Sequence, residues 1–223
     1  MLLCKLLAIP GGVTALIGSG GKTTAMYILA AELKKRGTVI CATSTRIFPP
    51  EHLPLYTGNN VDELVELLLE QGCVCVGAPV EKGKLGPSPI SMDILASAAD
   101  FVLVEADGSK GLPLKAHLSH EPVIPPEAKA VILMVGASGF GKPVCEAAHR
   151  PERFAELAGM GESDAVTPAA AAAVIRAERL GNKIFVNQAE DEDTLSLAGE
   201  LAGLVEIPVF AGALREGVWQ CLS

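Results

Sequence analysis

The stretch that decides the fold reads Val13-Thr14-Ala15-Leu16-Ile17-Gly18-Ser19-Gly20-Gly21-Lys22-Thr23-Thr24. An apolar run leads into a glycine turn, and the Lys-Thr-Thr that follows opens a helical pattern. Glycines let consecutive backbone N–H groups turn inward around an anion, and the dipole of the following helix adds positive potential at the same place. The stretch therefore predicts a phosphate-binding loop between a strand and a helix.

This loop is shorter than the usual nucleotide-binding motif. The full pattern G-x-x-x-x-G-K-[ST] has a glycine where Leu16 stands in this chain. The shorter form, Gly18-x-x-Gly21-Lys22, resembles the loop of the Mur-ligase class of nucleotide enzymes. The alternative is a glycine-rich turn that carries a lysine by chance. The strand and helix patterns on either side favour phosphate binding.

The side chains of the loop supply the groups that a magnesium nucleotide needs. Lys22 can reach the terminal phosphates, and the hydroxyl of Thr23 can ligate Mg²⁺. The residues of the loop that we expect to bind nucleotide are Gly18, Ser19, Gly20, Gly21, Lys22, Thr23 and Thr24.

Composition limits the class of protein. A chain of 223 residues suits one domain, which we expect to span residues 1–223. Hydrophobic residues make up 49% but aromatic residues only 4%, as in parallel sheets built from aliphatic side chains. The net charge of −8 argues against a nucleic-acid surface. The apolar start, Met1 to Pro10, is too short to span a membrane and lacks a cleavage pattern, so a cytoplasmic location is expected.

Hydrophobic periodicity alternates between strands and helices along the whole chain. It predicts an α/β fold of the P-loop NTPase type, with a mostly parallel sheet flanked by helices on both faces. Residues 79–91 form a polar excursion that either covers the nucleotide or links two elements. We also expect the segment from Cys145 to Ala158 to be helical after its proline-bearing stretch His149-Arg150-Pro151-Glu152, and a closing edge strand from Val205 to Gly212.

A hydroxyl cluster follows the second predicted strand. Thr43 and Thr45 come directly after the run Thr38 to Ala42. The carboxyl ends of parallel strands gather at one edge of a sheet, so we expect both threonines to face the phosphate loop and to bind the nucleotide. Ordinary turn chemistry is the alternative.

An acidic strand end supplies the expected metal ligand. The apolar run Phe101 to Val104 leads into Glu105 and Asp107. Carboxylate oxygens are the ligands that Mg²⁺ prefers, so Glu105, together with Thr23, is predicted to hold the ion. Asp107 is predicted to position the attacking water or the acceptor. The alternative is an ordinary strand end with solvated acids.

Further polar residues follow the acidic strand. Lys110 and Lys115 are placed to meet an anionic substrate or the γ-phosphate, with solvated lysines as the alternative. Arg150 could neutralise a phosphate or form a surface salt bridge. His117 and His120 have no third ligand near them in the sequence, which disfavours a metal site.

A base-reading residue is expected after the strand Asn182 to Asn187. Asn187 is placed where many nucleotide-binding proteins read the base with Asn-Lys-x-Asp. Here Gln188 replaces the lysine and Glu190 the aspartate, so guanine specificity is not assumed. The six cysteines contain no C-x-x-C pair, and we expect reduced, mostly buried thiols.

Six motifs, which lie between Gly18 and Glu152, are together more specific than the loop alone. They are Gly18-Ser19-Gly20-Gly21-Lys22-Thr23-Thr24, Thr43-Ser44-Thr45, Val104-Glu105-Ala106-Asp107-Gly108-Ser109-Lys110-Gly111-Leu112-Pro113-Leu114-Lys115, His120-Glu121-Pro122-Val123-Ile124-Pro125, Gly141-Lys142-Pro143 and His149-Arg150-Pro151-Glu152. This set resembles the YqeC-like accessory proteins of selenium-dependent molybdenum hydroxylases. The resemblance implies a cytoplasmic nucleotide-binding protein that helps mature or load a selenium- and molybdopterin-containing cofactor. Its implied partner is a molybdenum hydroxylase or a cofactor-maturation protein.

These observations predict a protein that binds Mg²⁺ with ATP or another nucleoside triphosphate, and that hydrolyses it or transfers its phosphoryl group. Lys22, Asp107 and Lys110 are the predicted catalytic residues, and Lys110 would meet an anionic ligand. One alternative is a Mur-ligase-like ATP-dependent ligase or small-molecule kinase. The other is a non-catalytic, nucleotide-gated chaperone or switch for cofactor delivery.

Overall fold

The structure is a computed structural model, and it describes residues 1–223. The chain divides into two compact units. The first contains Met1–Leu16, Ala25–Gly108 and Val123–Val131, and the second contains Ile17–Thr24, Ser109–Pro122 and Ile132–Ser223. The single domain over residues 1–223 stays a prediction.

Helices and strands alternate through much of the first unit. Its elements are α1 (Leu3–Leu6), β1 (Gly12–Gly18), α2 (Lys22–Leu33), β2 (Val39–Thr43), β3 (Leu55–Tyr56), α3 (Val61–Gln71), β4 (Cys73–Val76), β5 (Ala78–Val80), β6 (Lys84–Gly86), α4 (Met92–Ala98) and β7 (Phe101–Glu105). The last residues of β1 and the first of α2 belong to the second unit.

Five strands of the first unit are parallel neighbours in the order β1-β7-β2-β4-β3. They are buried along most of their length, as near-continuous aliphatic runs in a parallel sheet should be. One core cluster joins Val13, Ile40, Val74 and Val102 of these strands to Leu64 of α3. In α2, the apolar residues Ala25, Met26, Leu29, Ala30 and Leu33 are buried and form the inner face of the helix. Lys22 and Glu32 are buried as well.

Local signals fix the ends of several elements. Asn60 caps α3 by accepting a 3.0 Å hydrogen bond from the amide of Asp62, and Gly72 ends that helix in a left-handed conformation. The excursion over residues 79–91 forms an antiparallel ribbon of β5 and β6. The backbone of Leu85 in this ribbon exchanges hydrogen bonds of 2.8 and 2.9 Å with Ile47.

The second unit continues the alternation. Its elements are β8 (Leu114–Lys115), β9 (Ala128–Gly136), α5 (Val144–Ala147), β10 (Ala148–His149), α6 (Pro151–Ala158), α7 (Pro168–Glu178), β11 (Lys183–Asn187), α8 (Glu192–Ala202), β12 (Val209–Ala213) and β13 (Val218–Cys221). The first residues of β9 belong to the first unit.

The closing strand differs from the prediction. Strands β9, β11 and β12 are parallel neighbours, but β12 begins only after Pro208. The edge is formed by β13, which pairs antiparallel with β12, so that Phe210 lies opposite Cys221. The predicted edge strand from Val205 to Gly212 is therefore wrong in its start and in its position. In the structure, a short turn and the antiparallel strand β13 follow β12.

The segment from Cys145 to Ala158 is helical after its proline-bearing stretch, as predicted, because α6 runs from Pro151 to Ala158. Before that helix the chain forms the short strand β10, which pairs in parallel with β8 and was not predicted. Arg150 then takes a left-handed backbone conformation with φ of 71°. Pro151 accounts for the start of α6, because proline disfavours a helical residue before it and suits the first position of a new helix.

The remaining architecture agrees with the sequence. Parallel strands are combined with helices in both units, and α7 begins with Thr167 as its cap and Pro168 in its first turn. The predicted α/β fold with a mostly parallel sheet is confirmed.

Candidate functional site

The glycine loop connects β1 directly to α2. Gly18, Gly20 and Gly21 have φ values of 84°, 82° and 130°, a region that side chains other than glycine rarely adopt. A Cβ on Gly20 would lie 2.6 Å from the backbone of Gly136. The backbone can therefore follow this path only with glycine, and the start of α2 at Lys22 leaves the first amides of the helix beside the loop.

Lys22 lies across this loop. Its side chain is buried, with 3% of the residue exposed, and Nζ donates a 2.6 Å hydrogen bond to the carbonyl oxygen of Gly18. A buried ammonium group held within a turn of backbone amides produces a concentrated positive potential. This arrangement suits the phosphate groups of a nucleotide.

Ser19 adds an unsatisfied polar atom to the loop. Its amide donates a 2.9 Å hydrogen bond to the carbonyl of Met134, while its hydroxyl oxygen is buried and has no hydrogen-bond partner. A buried hydroxyl without a partner is costly, and a phosphate oxygen would satisfy it. The residues of the loop therefore fit the phosphate that the sequence predicted.

Asn187 braces the loop from the end of β11. Its Nδ2 donates a 2.6 Å hydrogen bond to the carbonyl of Gly20, and its Oδ1 accepts a 3.0 Å hydrogen bond from the amide of Leu214. A Cβ on Gly21 would lie 2.4 Å from Nδ2. The side chain of Asn187 therefore holds backbone on both sides, and its contact with a nucleotide base stays a prediction.

A polar cavity of about 110 Å³ opens beside the loop. Its lining residues are Gly20, Gly21, Thr24, Asn187, Gln188, Glu190, Leu214 and Arg215. Leu214 and Arg215, which follow β12, were not predicted from the sequence. The signal was available, because loops after parallel strands meet at one edge of the sheet.

The first unit brings the other predicted residues together at its strand ends. Glu105 is in register with Leu16 of β1 on one side and with Thr43 of β2 on the other. The hydroxyl of Thr43 donates a 2.9 Å hydrogen bond to the carbonyl of Glu105. The same hydroxyl oxygen accepts a 3.0 Å hydrogen bond from the amide of Thr45.

Both acids of this strand end are buried. Glu105 is 7% exposed and Asp107 is fully buried. The alternative considered for the sequence, an ordinary strand end with solvated acids, therefore does not describe these two residues. These residues belong to the first unit and the glycine loop to the second, so the magnesium ligands Thr23 and Glu105 and the catalytic role of Asp107 stay predictions.

The predicted anion-binding lysines differ in their surroundings. Lys110 is exposed and takes a left-handed backbone conformation with φ of 52°. Lys115 is buried, and its Nζ lies 3.0 Å from Oε2 of Glu121. The other oxygen of Glu121 accepts a 3.2 Å hydrogen bond from Arg150. Lys115 and Arg150 therefore share one carboxylate.

His117 has a structural partner. Its Nδ1 lies 2.7 Å from Oε2 of Glu178, and its backbone amide donates a 2.6 Å hydrogen bond to Oε1 of the same residue. Both groups of the histidine thus attach the chain after β8 to the last turn of α7. This explains the histidine without a metal.

The cysteines are free thiols. Cys4, Cys41, Cys73 and Cys75 are buried, whereas Cys145 and Cys221 are exposed. Burial raises the pKa of Cys75 to about 12, and a hydrogen bond with Cys73, together with burial, raises the pKa of Cys41. Protonated thiols of this kind pack as small apolar side chains.

The comparison with family models decides the relationship. The model of the YqeC protein family matches residues 14–152, more than half of the chain. The chain belongs to the YqeC family. The match begins in β1, includes the glycine loop and ends at Glu152 in the first turn of α6. All six motifs that carried the resemblance lie within it.

A curated relative agrees with this assignment. The "Uncharacterized protein YqeC" of Escherichia coli (strain K12) is 35% identical over 156 residues, which make up 66% of this chain. The aligned part spans 61% of the length of that relative. YqeC membership thus rests on similarity over most of this chain.

Among solved structures, the chain is similar to the signal recognition particle 54 kDa protein from Aeropyrum pernix K1 in complex with GDP. That similarity has a TM-score of 0.42 at 17% identity, and it covers 95% of this chain and 43% of the other. None of the helices is long and apolar enough to cross a membrane.

Proposed function

We propose that this YqeC-family chain binds a nucleoside triphosphate together with Mg²⁺ and hydrolyses it or transfers its phosphoryl group. ATP is the first candidate for this nucleotide. The observation that carries the proposal is the glycine loop. Three glycines with positive φ, the ammonium group of Lys22 and the unpartnered hydroxyl of Ser19 meet in one turn before α2. Each of these groups is of the kind that binds phosphate oxygens.

The loop residues would hold the phosphates. The backbone amides of the loop and the hydroxyl of Ser19 would donate hydrogen bonds to phosphate oxygens. Lys22 would neutralise the charge that develops during phosphoryl transfer. The base would extend towards Gln188, Glu190 and Arg215, because these residues line the cavity beside Gly20 and Gly21.

The metal and the reacting group are assigned to the acidic strand end. Thr23 and Glu105 supply hard oxygen ligands of the type that Mg²⁺ takes. When bound, Mg²⁺ supplies positive charge to the phosphate oxygens and fixes their orientation. Asp107 would position the water or acceptor hydroxyl, and Lys110 would meet an anionic ligand.

The proposed role in the cell is that of an accessory factor. The motifs shared with the YqeC-like proteins support a part in the maturation of a selenium- and molybdopterin-containing hydroxylase cofactor. The partner would be the hydroxylase or another maturation protein, and the location would be the cytoplasm.

A thermal-unfolding screen tests nucleotide binding and identifies the base. The chain is heated with ATP, GTP, CTP and UTP, each with Mg²⁺ and with EDTA. One nucleotide with Mg²⁺ is expected to raise the unfolding temperature, because a ligand at a hundred times its dissociation constant adds about 2.7 kcal/mol. If no nucleotide shifts the transition at millimolar concentration, the proposal is wrong.

Turnover measurements separate hydrolysis, transfer and switching. An enzyme that acts on a second small molecule releases nucleoside diphosphate only when that substrate is present. A nucleotide-gated switch turns over slowly alone and faster with its protein partner. Phosphate release that needs neither addition identifies plain hydrolysis.

A further inference from the structure

Three of the sequence motifs converge on one side-chain cluster in the second unit. Lys115 comes from the motif that ends in β8, and Glu121 comes from the motif that begins at His120. His149 and Arg150 come from the motif that leads into α6. Glu121 joins Lys115 and Arg150 through contacts of 3.0 and 3.2 Å. The loop that binds nucleotide in the proposed function takes no part in these contacts.

His149 is placed beside Lys115 by strand pairing. The two residues are in register in the parallel ladder of β8 and β10, so their side chains leave the same face of this ribbon. The amide of Ala116 donates a 3.1 Å hydrogen bond to the carbonyl of His149 and fixes the pairing.

The imidazole of His149 is buried and unpartnered. The residue is 7% exposed, and both ring nitrogens, Nδ1 and Nε2, are buried without a hydrogen-bond partner. Nε of Arg150 is also buried and unpartnered. Buried polar atoms are nearly always satisfied in proteins, so three such atoms on adjacent residues indicate a missing partner.

The charges around His149 favour an anion as the missing partner. Lys110, Lys115 and Arg150 all act on the imidazole electrostatically, while Glu121 is the one carboxylate among these groups. Three positive charges and one negative charge thus act on this imidazole, in a chain whose net charge is −8. The unpartnered Nε of Arg150 is a hydrogen-bond donor, and so is one of the two nitrogens of the His149 imidazole.

The start of α6 adds to this positive potential. Arg150 is the N-cap of this helix, and its side chain makes no capping hydrogen bond. The first amides of a helix have no partner within it, and the dipole attracts an anion to them. The acidic residue of the first turn, Glu152, is exposed.

We propose that Lys115, His149 and Arg150, at the start of α6, form a second anion site that takes the phosphate or carboxylate group of a small molecule. The anion accepts hydrogen bonds from the imidazole and the guanidinium and balances the excess positive charge. None of these three side chains belongs to the glycine loop, although Lys115 lines one cavity together with Gly18. It would hold a second substrate or an effector.

Calorimetric titration of the Lys22→Ala variant with inorganic phosphate tests this proposal. This variant removes the ammonium group from the glycine loop, so the remaining binding reports the second site. We expect one equivalent of phosphate to bind. Adding Arg150→Gln or His149→Gln should weaken that binding at least tenfold. The His149→Gln change leaves both contacts of Glu121 in place, so it separates loss of the site from loss of the fold.

Arg153→Gln is the matched control. Arg153 lies on the same helix and pairs with the exposed Glu156 at 2.6 Å, so its loss should leave phosphate binding unchanged. A parallel titration with malonate distinguishes a carboxylate ligand from a phosphate ligand by which of the two binds more tightly. The proposal is overturned if Lys22→Ala alone binds neither anion, or if Arg150→Gln and His149→Gln have no effect. A lack of nucleotide binding in the wild-type chain would refute the proposed function but leave this site intact.

Discussion

The side chain of Asn187 fixes the carbonyl of Gly20 through a 2.6 Å hydrogen bond. This contact joins the end of β11 to the middle of the glycine loop, across 167 positions of sequence. The loop is therefore held in shape by tertiary structure as well as by its glycines. A preorganised loop loses less conformational entropy when it binds an anion.

Replacing Asn187 with Asp should loosen the loop. The carboxylate keeps an acceptor for the amide of Leu214 but loses the donor to Gly20, and it repels that carbonyl. We expect the free energy of unfolding to fall by about 1–3 kcal/mol, and nucleotide affinity to fall with it. Urea unfolding and nucleotide titration measure both effects. Asn59→Asp, at an exposed loop position, is the control and should change neither. Equal affinity in the Asn187 variant and the wild type would argue against the bracing role.

Gly20 should not tolerate a methyl group. A Cβ there would lie 2.6 Å from the backbone of Gly136, and the φ of 82° is unfavourable for alanine. Gly20→Ala is expected to destabilise the fold by about 1–3 kcal/mol and to abolish nucleotide binding. Gly108→Ala provides the comparison, because its Cβ would meet nothing within 4 Å. The geometry of the loop is misjudged if the two variants unfold at the same denaturant concentration.

Glu105→Gln tests the predicted metal ligand. The change keeps the shape of the side chain and leaves the backbone carbonyl that accepts the hydrogen bond of Thr43. Because the amide is a poorer ligand for Mg²⁺ than the carboxylate, we expect the extra thermal stabilisation by Mg²⁺ over EDTA to disappear in the presence of nucleotide. Stabilisation by nucleotide in EDTA should stay. An unchanged magnesium dependence would exclude Glu105 as a ligand.

His149 should make stability depend on pH on the acid side of neutrality. Burial, with Lys115 and Arg150 nearby, lowers the pKa of this imidazole. The unfolded chain therefore takes up a proton first as the pH falls. The stability from neutral His149 is present above its ordinary pKa of about 6.5 and is lost as the pH falls towards the lowered value.

Urea unfolding of the wild type and of His149→Gln between about pH 7 and pH 5 measures this contribution. The wild type should lose more stability over that range than the variant. Glu121 acts in a lower window: burial opposes its ionisation, but Lys115 and Arg150 outweigh burial and hold its pKa below the usual range. Its contribution is thus lost only at more acidic pH. Parallel pH profiles for the two proteins would contradict the assignment.

Much of the fold could be predicted because its signals are local. The buried strands are continuous aliphatic runs, and Asn60, Gly72 and Thr167 mark helix ends through contacts with near neighbours in sequence. The short strands β10 and β13 were missed for a different reason. Both depend on pairing with another strand, and such pairing leaves little trace in a single short segment.

The candidate site shows the same division. The glycine loop was evident from its spacing, because phosphate binding requires those residues next to one another. The bracing by Asn187 and the unpartnered ring of His149 could not be predicted in the same way. Each of these properties belongs to a contact, or to the lack of one, between distant parts of the chain.

Calorimetric titration of Mg-ATP into the wild-type chain and into Lys22→Ala tests whether the glycine loop binds the nucleotide. Lys22 holds the one ammonium group that lies across the glycine loop, at 2.6 Å from the carbonyl of Gly18. We predict saturable binding to the wild type and to the exposed-lysine control Lys35→Ala, and at least a hundredfold weaker binding to Lys22→Ala, with far-UV circular dichroism unchanged in all three. Binding of Mg-ATP to Lys22→Ala with the affinity of the wild type would contradict the account.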